Sequence, residues 1–304
     1  MTDIDLKEKK LRQNLEINAS FLKHESFEVL NNKELMLRIL DNVFVLECCS
    51  WNLKNDRDFV LAAVKFNGLY IKKVQEKFKN DREILLAALS NSGIGLYALD
   101  DYIKDDKELV LAAVKNTGYA LKYANPRLKA DKEVVLAAVN TTGLSLKEAC
   151  ADLKNDREII LAAITQDGMT LKDLNEEYQN DKEIVLKAVE QNGLALSFVS
   201  SILSDDFEVV LKAVKQNGEA IAYASTELKQ NDEIILNAVL QDILHFRYVP
   251  KDCNSQIIAE SKLANKTIEE FLQKKVDMEK LKENIENRIK HIPIKKINAM
   301  KNKL

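Results

Sequence analysis

Seven aspartates, Asp56, Asp81, Asp106, Asp131, Asp156, Asp181 and Asp206, stand 25 residues apart without a slip. Seven of the chain's eight glycines keep the same step, from Gly68 through Gly93, Gly118, Gly143, Gly168 and Gly193 to Gly218. Leu61 recurs at each interval to Leu236, and Ala63 to Ala238. So strict a period predicts a solenoid. One short unit cannot bury its apolar face alone, so it stacks on its neighbours.

The unit NDREIILAAITQDGMTLKDLNEEYQ, residues 155–179, shows what each copy needs. Asp156 offers a side-chain oxygen to the free N–H groups of a helix start. Arg157 to Ile164 then reads as a first helix, and Asp-Gly ends it, with Gly168 expected in the left-handed conformation. A second, shorter helix is expected next, with apolar slots at Met169, Leu171, Leu174 and Tyr178. On the first helix Ile159, Ile160, Leu161, Ala163 and Ile164 span about 200° of arc, far more than one apolar stripe. That helix therefore has to touch its own partner and both flanking repeats, and the repeated Ala permits helices to approach at about 8–10 Å.

The pattern predicts an all-α chain: an α-solenoid, or superhelix, of about eight helix-turn-helix repeats of 25 residues with helical caps. Residues 1–54 form the N-terminal cap, in which Asn32–Leu40 resembles a degenerate first helix and Leu6–Leu30 a helical cover. Residues 55–244 carry the tandem repeats. Residues 245–304 form a loop marked by Pro250, then a helix opened by the capping box at Thr267–Glu270 and running to about His291. Ile243 stands where the next Gly belongs.

Charge is uneven. Residues 245–304 hold 14 Lys+Arg against 8 Asp+Glu, a net of +6, which leaves 31 against 40, a net of −9, for residues 1–244. The acidic repeats argue against nucleic-acid binding along their length, and the basic tail suits nucleic acid or an anionic surface. No run approaches the roughly 18 apolar residues of a membrane span. The charged start MTDIDLKEKK is unlike a secretory signal. Cys48, Cys49, Cys150 and Cys253 show no metal or redox spacing, which implies reduced thiols and a cytoplasmic location.

The phrase ND(K/R)E(I/V)VLAAVxxNGxxLxxA, as in Asn180–Val199 and Asp206–Ala224, resembles the repeat of the family known as domain of unknown function 4116. The resemblance covers about residues 55–240 in seven or eight copies and leaves out the tail. It implies a helical repeat and brings no catalytic residue to transfer. Arrays of this family occur in bacteria, protists and large viruses, some of the bacteria living with host cells. Delivery into a host therefore stands beside the cytoplasmic expectation.

Four features compete as sites. The acids from Asp58 and Glu83 to Glu233 form a ladder that either grips a basic partner or pairs with the basic slot beside it, from Arg57 to Lys182. Ala112, Ala137 and Ala162, flanked by Asn116, Thr141 and Gln166, form a strip either for close approach of another chain or for crowding between repeats. The variable columns of the second helix offer Tyr123, Phe198 and Tyr223 as binding anchors, although surface drift gives the same variation. A lysine column, Lys72, Lys122, Lys147 and Lys172, is broken by Tyr97, Ser197 and Ala222. Trp51 reads as a core residue.

No catalytic, cofactor or metal motif is present, and Cys253 with His245 is the sole, weak nucleophile–base pairing. The expectation is a non-enzymatic scaffold for a protein or peptide partner. Nucleic-acid or anionic-surface binding by the tail is the alternative, and an enzyme site at the array ends a third.

Overall fold

The computed structural model describes residues 2–17, 20–42, 44–250 and 270–280. Among them every regular element is helical and none is a strand. The chain divides into two compact units, at Asp167–Gly168. The start of the capping box, Cys253, the run from Leu281 to His291 and the basic end lie outside the described residues.

In the first unit the first helices are Arg57–Phe66, Arg82–Asn91, Lys107–Asn116, Lys132–Thr141 and Arg157–Gln166, ten residues each. Each packs on the next. Asp56, Asp81, Asp106, Asp131 and Asp156 cap them as expected, each accepting a backbone N–H two or three residues on. Four positions per helix are buried, for example Val134, Val135, Ala138 and Val139. The second unit repeats this with Lys182–Gln191, Phe207–Gln216 and Asp232–Gln241, the last capped by Asn231.

The second helix of each repeat departs from expectation. It is two elements: a 3-10 helix opening on the glycine, as in Gly118–Tyr123, and a single helical turn such as Pro126–Lys129. The sequence carries a signal for this. A 3-10 helix has three residues per turn, so residues i and i+3 share a face. Gly118, Leu121 and Ala124 are buried at that step, as are Gly93, Leu96 and Leu99. The single turn has its own cap column, where Ser50, Asn125, Ser200 and Ser225 each accept a backbone N–H.

The glycines are not left-handed either. None of Gly68, Gly93, Gly118, Gly168, Gly193 or Gly218 has φ between +20° and +160°. They are required by close approach. A Cβ on Gly68 would stand 2.1 Å from the carbonyl oxygen of Ala88, and one on Gly193 2.3 Å from that of Ala213. The recurring Gly and the recurring Ala, twenty residues on, are thus two halves of one contact. Ile243, in the slot the glycines take elsewhere, opens the 3-10 helix Ile243–Tyr248.

At the N-terminus, Asp3–Ile17 covers the array with Leu11 buried beneath it. Arg12 donates to Asp41 at 2.7 Å, and Arg38 donates to Asp5 at 2.8 Å and to Glu34 at 2.8 Å. The degenerate helix Lys33–Arg38 keeps the capping rule, Asn32 accepting from the Leu35 N–H at 3.0 Å. Trp51 is not core: it is 73% exposed. It follows the buried cap Ser50 at the first position of a single turn, the slot taken by exposed Asp101, Pro126 and Ala151 in later repeats.

Candidate interaction surface

A surface is free to bind only where the repeats do not use it on one another, and two of the expected features are used. The basic slots Arg57, Arg82, Lys107, Lys132 and Lys182 reach forward to the next repeat rather than to the acid beside them. Arg57 bonds Asp81 at 2.6 Å and Glu83 at 2.7 Å, while Arg82 bonds Asp106 at 2.8 Å and also pairs with Glu108. Lys107 pairs with Asp131 and Glu133, Lys132 with Asp156 and Glu158, and Lys182 with Asp206 and Glu208. Lys33 begins the series on Asp56 at 2.7 Å. These cations hold Asp56, Asp81, Asp106 and Asp156 below the ordinary carboxylate range. Phe207 replaces the cation in the next repeat, and there the following cap is the neutral Asn231. An aspartate cap therefore goes with a cation one repeat upstream.

The amides flanking the Ala strip are joints as well. Asn116 Oδ1 accepts from the buried Gly93 N–H at 2.8 Å, and its Nδ2 donates to the carbonyls of Ser90 and Asn91. Gln166 donates to the Thr141 carbonyl of the preceding repeat at 3.1 Å, whereas the Thr141 hydroxyl donates within its own helix, to the Ala137 carbonyl at 3.1 Å. Gln216 and Gln241 clamp Gly193 and Gly218 in the second unit.

The first helices also present an apolar column. Ala112, Ala137 and Ala162 are half-buried beside Leu111, Leu136 and Leu161, which are also half-buried. The leucine slot, counted from sequence as part of the buried stripe, thus reaches the surface. In the second unit Leu186, Leu211 and Leu236 are half-buried as well, with Lys187, Lys212 and Asn237 in the Ala slot. Leu236 faces helical residues 270–280: with Phe271, Lys274, Lys275, Met278 and Glu279 it lines a cavity of about 380 Å³. Leu272 and Val276 of that helix are buried.

The aromatic candidates divide. Tyr123 is half-buried on its 3-10 helix and meets Tyr97 of the preceding repeat, ring centroids 5.7 Å apart. Phe198 is half-buried and Tyr223 is 45% exposed, on adjacent 3-10 helices of the second unit. The Tyr97–Tyr123 pair was not legible in sequence, since the two residues lie in different columns. His245 bonds the Ala238 carbonyl at 3.0 Å through Nδ1, and its proposed partner Cys253 lies outside the described residues. Among the described residues no group of His, Cys, Asp or Glu is placed to hold a metal ion, and no helix is long and apolar enough to cross a membrane.

The family model described as "Domain of unknown function (DUF4116)" matches residues 56–104, 106–154, 156–204 and 206–253. Each match opens at or beside a helix-capping Asp and spans two 25-residue repeats, so the family's unit is a repeat pair. No curated protein and no solved structure matches the chain.

Proposed function

The chain belongs to the family described as domain of unknown function DUF4116, and from that premise we propose that it is a non-enzymatic scaffold whose first-helix face takes an amphipathic helix of a protein or peptide partner. One observation carries this reading. The leucine column bears no capping, clamping or ion-pairing role in any repeat, and at Leu236 an amphipathic helix of the same chain already lies against it. One leucine per stacked first helix, with an alanine beside it at Ala112, Ala137 and Ala162, gives the first unit an apolar strip of the kind that helix-in-groove recognition uses. A partner would set apolar residues at i, i+3 or i+4, and i+7 against that strip. Ala112, Ala137 and Ala162 permit its backbone to come close.

Selection of displayed peptides against the folded full-length chain tests the reading. Amphipathic helical sequences are expected to be enriched, and their binding to be lost in the Ala112→Glu and Ala137→Glu variants. Both substitutions fall on half-buried surface positions and leave the core intact. Enrichment of no peptide, or peptides indifferent to both substitutions, would remove this face from consideration.

A further inference from the structure

We propose that the row of 3-10 helices in the first unit is a binding strip for single-stranded nucleic acid, with lysines for phosphates and tyrosines for bases. In sequence Tyr97 interrupts the lysine column. In space it completes a different pattern. Lys72 Nζ lies 4.1 Å from the Tyr97 ring centroid, and Tyr97 meets Tyr123. Lys122 Nζ lies 6.0 Å from the Tyr123 ring, and Lys147 Nζ 5.6 Å from the ring of Tyr119 in the repeat before. Cations and rings thus alternate over Gly68–Lys72, Gly93–Ala98, Gly118–Tyr123 and Gly143–Glu148, which pack side by side.

The period-three backbone aims this strip outward. Ile71, Leu96, Leu121 and Leu146 are buried, so the residue after each, Lys72, Tyr97, Lys122 or Lys147, faces solvent. Tyr97 is 43% and Tyr119 38% exposed. None of the three lysines has a carboxylate partner among the described residues, unlike the first-helix cations. Glu148 is the one acid on the four 3-10 helices. In the first unit the ladder acids Asp56, Asp81, Glu83, Asp106, Glu108, Asp131, Glu133, Asp156 and Glu158 are already paired with cations.

The chemistry selects the ligand. Proteins that hold single strands combine a basic track with aromatic faces on which bases stack. An acidic peptide would use the lysines and leave the rings idle, and a duplex keeps its base faces stacked inside. A lysine lying over a tyrosine moves on its flexible stem to a phosphate and uncovers the ring for a base.

Fluorescence anisotropy of a labelled homopyrimidine strand of about 20 nucleotides, titrated with the full-length chain from about 50 mM salt upward, tests the strip. Three phosphate contacts predict a slope of log K against log salt of about −2. Lys72→Gln, Lys122→Gln and Lys147→Gln together are expected to flatten that slope. Tyr97→Leu with Tyr123→Leu, which keeps apolar bulk, is expected to weaken binding about tenfold at unchanged slope. Thermal melts of both variants check that they fold. Absence of binding overturns the proposal. So does equal binding of a duplex or of polyglutamate, or binding that survives both variants and disappears when Lys295, Lys296, Lys301 and Lys303 are neutralised.

Discussion

The Cβ that Gly93 lacks would stand 2.0 Å from the carbonyl oxygen of Ala113, one repeat further on. The glycine is therefore a spacing device between repeats, and its replacement tests how the array is held. Gly93→Ala forces the two repeats apart or distorts the 3-10 helix, and overpacking of this kind costs about 1–3 kcal/mol. Gly95, two residues along in the same 3-10 helix, meets nothing closer than Ile71 Cγ2 at 3.3 Å. Gly95→Ala should be the milder change by chemical denaturation. Equal losses at the two sites would contradict the close-approach account.

The Asn116 side chain accepts from the buried Gly93 N–H at 2.8 Å. Asn116→Ala removes that acceptor and leaves the donor unpaired, at a cost of about 1–3 kcal/mol. Asn116→Gln should recover most of it, because glutamine fills the same role at Gln191 and Gln216. Thermal unfolding of the three proteins checks the ordering.

The ion-pair ladder predicts a direction of pH dependence. Hydrogen bonds from Lys33, Arg57, Arg82 and Lys132 lower the folded pKa of Asp56, Asp81, Asp106 and Asp156. A depressed folded pKa gives stability that is fully present above the unfolded value of about 3.9 and is lost as pH falls through the folded value. The melting temperature should therefore hold from pH 7 to about 5 and fall from about pH 4 downward. Arg82→Gln should make that fall shallower. Because the pairs are largely exposed, raising salt should shrink the difference between the two proteins.

Cys150 occupies the capping slot where Ser50, Ser200 and Ser225 accept a backbone N–H, and it accepts none. Its backbone is already suited to the role, with φ −65° and ψ 163°. Cys150→Ser should raise stability by about 0.5–1 kcal/mol, the usual effect of adding a cap. A melting temperature at or below that of the parent would count against the capping column.

Much of the fold was legible because it is local and periodic. Asp106 capping Leu109 and the buried set at Leu109, Val110, Ala113 and Val114 follow from spacing within one helix. The candidate surfaces were legible only in part: the Ala strip was visible, while the leucine slot beside it was assigned to the core. Helical arc alone does not say where a neighbouring repeat stops covering a helix.

The amino-acid sequence by itself determined the repeat length, the caps and the apolar positions of each first helix, since those depend on residues a few places apart. The tertiary structure decided which repeat each side chain serves. It set Gly93 against Ala113, sent Arg82 forward to Asp106 and brought Tyr97 to Tyr123. In a strictly periodic chain every column keeps one spacing, so only the geometry of stacking says which of two columns meet.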